Sequence, residues 1–147
     1  MIECGEARSK HIPGLFRVRL AVQENALSEA RLRELGITPE SVQAGMLEGR
    51  LKGWVVEQAG EVVGFSFADS STDSIWALFV LPEHEGRGFG QWMLNQAVAW
   101  LRERGARRIW LETSPGTRAA QFYRDLGWRE VETTASGDLR FELESPR

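Results

Sequence analysis

The sequence predicts a mixed α/β (α+β) fold in which one sheet carries helices on both faces. Two strand-like runs, 54–58 and 61–68, are joined by a short turn that contains Gly60, and this pattern indicates a hairpin. Strand and helix patterns then alternate, which is typical of crossover connections. The chain has 147 residues, 42% of them hydrophobic and 27% charged, as expected for one soluble core. We therefore expect a single domain over residues 1–147.

The first half of the chain is predicted to be mainly helical after one short strand. Pro13 suits a first helical turn, and Gly36 follows the end of a second helical segment. Thr38 is typical of a helix N-cap because Pro39 comes directly after it. The expected elements are a strand over residues 2–7 and helices over 13–25, 28–35 and 39–51.

The second half is predicted to form the rest of the sheet. Residues 75–81 are all apolar, so we expect a strand that is buried on both faces. A glycine-rich loop and a helix follow, and Gly105 closes that helix. The remaining expected elements are a helix ending near residue 104, a strand over 108–113, a helix ending near 126, and strands over 128–133 and 139–143.

Composition and charge exclude several classes of protein. Lys and Arg number 18 and Asp and Glu number 21, giving a net charge of −3 that argues against nucleic acid as a partner. Cys4 is the single cysteine, so no internal disulfide can form and a reducing compartment is expected. The N-terminus lacks the pattern of a signal peptide, and the longest apolar run falls short of the ~20 residues that span a membrane. We expect a cytoplasmic protein with neither membrane nor metal as a partner.

The segment with the clearest chemistry is the loop that holds Gly86, Gly88 and Gly90. Glycines at alternate positions let the backbone approach a ligand, and a helix N-terminus adds partial positive charge. Arg87 adds a formal charge for a phosphate oxygen. Neither a Walker A loop nor a dinucleotide fingerprint fits the spacing, because no Gly-Lys-Ser/Thr follows and position 91 is Gln. A purely structural glycine-rich turn stays open as the alternative.

Two motifs resemble the GCN5-related N-acetyltransferase (GNAT) family. The run from Gly86 to Gly90, after Pro82, is similar to the family's acyl-CoA pyrophosphate loop, although Glu85 stands where Gln or Arg is usual. The segment 116–128 is similar to the family's later small-residue helix, which ends in Phe-Tyr-x-x-x-Gly-Trp. The resemblance covers residues 54–128 well and residues 1–53 only in layout.

The resemblance implies a mostly antiparallel sheet of six to seven strands, about four helices, and a splayed cleft for acyl-CoA. It implies an acetyl-CoA-dependent N-acetyltransferase, in which a primary amine attacks the thioester directly in a ternary complex. The amine is unidentified, and a small molecule is favoured over a protein. The resemblance assigns Tyr123 to the CoA sulfur as a general acid. The implied cofactor-binding residues are Leu78, Phe79, Val80, Glu85, Gly86, Arg87, Gly88, Phe89, Gly90 and Gln91.

Several questions stay open at the level of sequence. Glu85 and the lack of a clear base leave a non-catalytic acyl-CoA-binding sensor or partner domain as the alternative, and a structural domain without a CoA site as a third. Trp54 and Trp76 suit either an acceptor pocket or the core. His11 is expected at the surface and His84 in a loop. The C-terminal strands can pair across a two-fold axis, so a homodimer stays open. The candidate bases are Glu24, Asp69, Asp73 and Glu112.

Overall fold

The computed structural model describes residues 1–22 and 25–144, which form seven strands and five α-helices. The strands are β1 (Ile2–Glu6), β2 (Leu51–Gln58), β3 (Glu61–Asp69), β4 (Ser74–Val80), β5 (Arg108–Thr113), β6 (Arg129–Thr133) and β7 (Leu139–Glu144). The helices are α1 (Ile12–Ala21), α2 (Glu29–Glu34), α3 (Pro39–Glu48), α4 (Phe89–Glu103) and α5 (Arg118–Asp125). No helix in this part of the chain is long and apolar enough to cross a membrane.

Local sequence explains where the helices begin. Thr38 caps α3, since its side chain accepts a hydrogen bond from Ser41 N at 3.1 Å, and Ser41 Oγ in turn accepts from Thr38 N at 2.9 Å. Thr117 caps α5 in the same way by accepting from Ala120 N at 3.2 Å. The prediction that Thr38 is an N-cap is therefore confirmed.

One sheet joins all seven strands in the order β1-β2-β3-β4-β5-β7-β6. Every neighbouring pair is antiparallel except β4 and β5, which are parallel. The sheet is thus mixed and mostly antiparallel, as predicted. Its edges are β1 and β6, and every residue of β6 is exposed. The charged side chains of β6 disfavour pairing with another edge, and a homodimer stays a prediction.

Helices cover both faces of the sheet. On one face α4 packs against β2 and β3, where the rings of Trp54 and Trp100 meet edge to face with centroids 6.3 Å apart. On the other face α1 lies over β3. Arg17 Nη2 on α1 donates a hydrogen bond to the carbonyl oxygen of Val62 on β3 at 2.6 Å. A Cβ added to Gly14 would lie 2.9 Å from Val62 Cγ2, so glycine permits this close approach.

Strands β4 and β5 separate soon after they meet. Their ladder holds a single pair of residues, Ser74 and Trp110, supported by the hydrogen bond from Trp110 N to the carbonyl oxygen of Asp73 at 3.2 Å. A bulge lies in β4 beside this point. Phe67 pairs with Ala77 while the next residue of β3 pairs with Ile75, which leaves Trp76 as the extra residue. The sheet therefore splays open along β4, as expected for an acyl-CoA cleft.

The structure corrects four details of the predictions. Helix α1 ends at Ala21 and not near residue 25, since Val22 is already extended. The run 75–81 is not buried on both faces, because its second half is half-buried beside the gap between β4 and β5. Strand β2 begins at Leu51, and α3 ends three residues earlier at Glu48. His11 is not at the surface: it is 7% exposed, and its Nε2 lies 3.1 Å from Glu57 Oε1.

Candidate active site

The gap between β4 and β5 forms the main cleft, with a volume of about 880 Å³. Its walls come from β4, the end of β5, the start of α4, one face of α5, and the segment between α1 and α2. Ten of the eleven residues that the sequence singled out line this cleft. The exception is Arg87, which is exposed and lies outside the lining.

The glycine loop ends in a helix N-terminus that faces the cleft. Gly86 and Gly88 adopt left-handed conformations, with φ of 79° and 85°, which residues with a side chain rarely adopt. Gly88 is the N-cap of α4, and no side chain caps the first turn. The first N–H groups of a helix have no intrahelical partner, and the first turn of α4 carries no acidic residue. The cleft therefore has an anion-binding end.

Glu85 would repel an anion at this end, but an ion pair offsets its charge. Its carboxylate accepts a short hydrogen bond from Arg118, the first residue of α5. The pair is partly exposed, so its contribution to stability is small. It nevertheless places a cation at the anion-binding end, since Arg118 also lines the cleft. Arg118 is 33 residues away from Glu85 in the sequence, and no sequence pattern predicted this pairing.

The edge of β4 that faces the cleft is open along Leu78, Phe79 and Val80. These three residues pair with β3 on one side and line the cleft on the other. The ladder between β4 and β5 does not reach them. An open strand edge presents N–H and C=O groups that an extended ligand can bind as an added strand.

Tyr123 lies on α5 and is 4% exposed. Its ring is held by Phe122, Trp128 and Phe141, whose centroids lie 5.4, 5.7 and 5.8 Å away. Burial raises the pKa of the Tyr123 phenol above its ordinary value, because the charged form is disfavoured away from water. The residue lines the cleft, and no residue in the described ranges forms a hydrogen bond with its hydroxyl. The phenol is thus a protonated donor beside the cleft.

The four candidate bases lie in different places. Glu112 lines the cleft at the end of β5. Asp69 pairs with Arg50 at 3.1 Å, and neither Asp69 nor Asp73 lines the cleft. Glu24 lies outside the described residues. Within the part of the chain that the structure covers, no three His, Cys, Asp or Glu side chains lie together as metal ligands would.

A second, smaller cavity of about 140 Å³ opens beside the main cleft. Trp76 and Ala77 line both spaces, and Trp76 stacks on Phe67, with ring centroids 5.3 Å apart. Trp54 instead lies in the core against α4. The small cavity is bounded by α1, α2, α3, β3 and β4, and its described lining is apolar except for one residue, Arg19.

Sequence reasoning missed Arg19 as a site residue. It follows Leu15 by four positions, so it shares the helix face that packs on the sheet. A lone arginine on the apolar face of a helix is the signal that could have identified it.

Asn25 forms a bridge to the end of β5 on the wall of the cleft. Its Nδ2 donates to Thr113 Oγ1 at 3.1 Å, and its Oδ1 accepts from Ser114 N at 2.7 Å. The φ of Asn25 is 58°, a left-handed conformation that asparagine tolerates better than most residues. The bridge therefore closes one side of the cleft with a specific residue.

Comparison with known proteins agrees with this geometry. The model of the Acetyltransferase (GNAT) family matches residues 19–128. The PaiA N-acetyltransferase of Thermoplasma acidophilum, solved in complex with coenzyme A, superposes with a TM-score of 0.81 over 99% of both chains at 15% identity. At that identity the likeness shows the fold alone.

Two curated relatives match parts of the chain. The ribosomal protein bS18-alanine N-acetyltransferase of Haemophilus influenzae is 28% identical over 49% of this chain and 51% of its own length. The streptothricin acetyltransferase of Streptomyces lavendulae is 34% identical over 47% of this chain and 39% of its own. The chain thus spans about half the length of the first relative and less of the second. Because the family match covers most of the sequence, and the splayed sheet agrees with it, this chain belongs to the GNAT family of acetyltransferases.

Proposed function

We propose that the chain transfers an acetyl group from acetyl-CoA to the primary amine of a small molecule, by direct attack in a ternary complex. One observation carries the proposal: the start of α4, the open edge of β4 and Tyr123 all line a single cleft. These three features suit a ligand that carries phosphates, an extended amide arm and a reactive thioester.

The cleft divides into three parts along acetyl-CoA. The N–H groups of the loop 85–91 bind the pyrophosphate, with Arg118 adding positive charge. The β4 edge over residues 78–80 pairs with the amides of the pantetheine arm. The thioester then lies beside Tyr123, in the cleft that shares Trp76 and Ala77 with the small cavity.

The reaction needs a base, an attack and an acid. The acceptor ammonium loses a proton to a base, for which we propose Glu112 because it is the described candidate carboxylate on the cleft wall. The amine nitrogen attacks the carbonyl carbon, so a C–N bond forms. The nitrogen then gives up its second proton to solvent as the C–S bond breaks. The departing thiolate takes the Tyr123 proton, and the phenol is restored from solvent.

A small acceptor is favoured because the cavity beside the thioester is compact and apolar. The rival function is a non-catalytic acyl-CoA-binding domain. Its main motive was the charge of Glu85, which the ion pair with Arg118 offsets. Release of free CoA with any amine of a panel excludes this rival.

The first test uses Gly90, whose position permits a clean substitution. Its φ is not positive, and an added Cβ would meet only Phe122 Cζ, at 3.8 Å. Gly90→Glu therefore places a carboxylate at the anion-binding end without straining the backbone. We expect it to weaken acetyl-CoA binding at least tenfold in calorimetric titration, because charge–charge repulsion replaces attraction.

The matched control is Asn95→Glu, which adds the same charge to an exposed position of the same helix. Its affinity for acetyl-CoA should stay within about twofold of the parent. Equal affinity in Gly90→Glu and the parent would show that the loop does not hold the phosphates. Lack of acetyl-CoA binding by the parent itself would overturn the proposed function.

A further inference from the structure

Arg19 is a cation in an apolar setting with an unused hydrogen-bonding group. Its guanidinium carbon lies 4.2 Å from the centroid of the Phe79 ring. Its Nη1 is buried and has no hydrogen-bond partner among the residues that the structure describes. A buried, unpaired donor on a charged group is costly, so such groups usually have a partner. The partner is therefore to be sought in a ligand.

The stacking of Arg19 on Phe79 indicates what kind of ligand fits. A guanidinium that lies over a ring keeps its edge free, and this edge presents parallel N–H donors. Two parallel donors match the two oxygens of a carboxylate. Burial lowers the pKa of Arg19, but a guanidinium remains protonated at neutral pH, so the side chain offers a full positive charge.

The neighbouring space fits an apolar group. Arg19 lines both the small cavity and the main cleft, so it stands where the two meet. The remaining described lining of the small cavity is apolar, with Leu15 and Phe16 on α1 and Phe65 and Phe67 on β3. Its volume of about 140 Å³ compares with the roughly 150 Å³ of an apolar cavity that accepts benzene. The cavity thus holds one aliphatic or aromatic side chain.

We propose that the acceptor is a free apolar amino acid, whose carboxylate binds Arg19 and whose side chain fills the small cavity. The inference rests on the proposed function, because the α-amino group must then meet the thioester in the main cleft. The balanced reaction is R–NH3⁺ plus acetyl-CoA giving R–NH–acetyl, free CoA thiol and one proton. Arg19 is a substrate-binding residue in this scheme.

The test begins with a panel of acceptors and the release of CoA thiol as its readout. The panel contains leucine and phenylalanine, the amide of each, phenethylamine and alanine. We expect kcat/KM for leucine or phenylalanine to exceed that of its amide by roughly 10- to 100-fold, the usual effect of a hydrogen-bonded charge pair. Alanine should be a poorer acceptor, because it leaves the small cavity unfilled.

Variants of Arg19 then assign the preference to this side chain. In Arg19→Gln, the KM for the amino acid should rise roughly 10- to 100-fold while its amide is little affected. Arg19→Lys should restore part of the preference, since it keeps the charge but loses the parallel donors. Arg107→Gln, at an exposed arginine outside both spaces, is the matched control and should behave as the parent.

The outcomes separate this inference from the proposed function. Equal turnover of amino acids and their amides, or of phenethylamine, overturns the inference and leaves the acetyltransferase intact. Weaker acetyl-CoA binding in Arg19→Gln, with equal losses for all acceptors, also overturns it, because Arg19 would then serve the cofactor. Failure of every carboxylate-bearing amine overturns it as well, and calorimetry with acetyl-CoA alone decides whether the proposed function fails too.

Discussion

Tyr123 combines a rigid ring with a free hydroxyl. Three aromatic rings fix its position, and no described residue forms a hydrogen bond with its oxygen. A residue that served only the core would need the aromatic ring alone, and phenylalanine would supply it without a hydroxyl. The hydroxyl is therefore the part that calls for a functional explanation, and the two contributions can be separated by removing one oxygen atom.

Tyr123→Phe is expected to lower kcat roughly 100-fold or more, because general acid catalysis typically contributes 10²- to 10⁴-fold. Steady-state kinetics checks this, and acetyl-CoA affinity and the thermal midpoint should change little since ring packing is kept. A kcat within a few-fold of the parent would assign Tyr123 to the core alone.

The pH profile gives an independent check on Tyr123. Burial raises the pKa of its phenol, so the acid form persists and kcat should show no loss from its ionisation below about pH 10. The same burial leaves the free energy of unfolding unaffected below the unfolded pKa of about 10 and lowers it as the pH rises further. A fall in kcat near pH 8 that is absent in Tyr123→Phe would contradict this.

Residues that act through local sequence could be predicted, whereas those that act across the fold could not. The glycine loop and Tyr123 lie in short motifs, so their spacing is visible in the sequence. The pairing of Glu85 with Arg118 and the position of Arg19 over Phe79 depend on how α1 and α5 pack on the sheet. That packing cannot be predicted from residues that are adjacent in the sequence.

At the scale of elements, β4 shows how an apolar run can mislead. Seven apolar residues indicate a strand buried on both faces, but Leu78, Phe79 and Val80 are half-buried. They border the cleft, where their apolar surface is not covered by a neighbouring strand and is available to a ligand. Helix caps and the hairpin of β2 and β3 were predictable because each depends on a few adjacent residues.

The side chain of Asn25 links the residues before α2 to the end of β5. Asn25→Gly removes both hydrogen bonds and keeps the left-handed backbone accessible. We expect it to lower the free energy of unfolding by about 1–3 kcal/mol, from two bonds of about 0.5–1.5 kcal/mol each. Urea denaturation measures this loss.

Asn25→Ala is the companion variant, because alanine adds backbone strain at the φ of 58°. It should be less stable than Asn25→Gly by about 1 kcal/mol. Equal stability of Asn25→Gly and the parent would show that the bridge contributes nothing to closing the cleft. Both variants should keep a parent-like circular dichroism spectrum.

On the scale of the whole molecule, the sheet is two half-sheets joined at one residue pair. Strands β1 to β4 form one part and β5 to β7 the other, and Ser74 and Trp110 hold the only ladder pair between them in the described chain. Amide hydrogen exchange should therefore be faster along the open edge of β4 than in β2 and β3.

Saturating acetyl-CoA should slow exchange at the amides of residues 78–80 that point into the cleft, because the pantetheine arm takes the place of the missing strand. The amides shared by β2 and β3 serve as internal controls and should change little. Exchange measured by mass spectrometry or NMR checks this, and Gly90→Glu should lose the effect. Uniform slowing over all strands would indicate global stabilisation instead.

Because we propose that acetyl-CoA binds in the gap between the half-sheets, this ligand would itself complete the sheet. A ligand that binds only the folded state adds about 2.7 kcal/mol of stability at a concentration 100 times its dissociation constant. A molecule whose sheet is completed by acetyl-CoA would then hold together more firmly when this metabolite is abundant and open more readily when it is scarce. Its lifetime against proteolysis would thus follow the supply of acetyl-CoA.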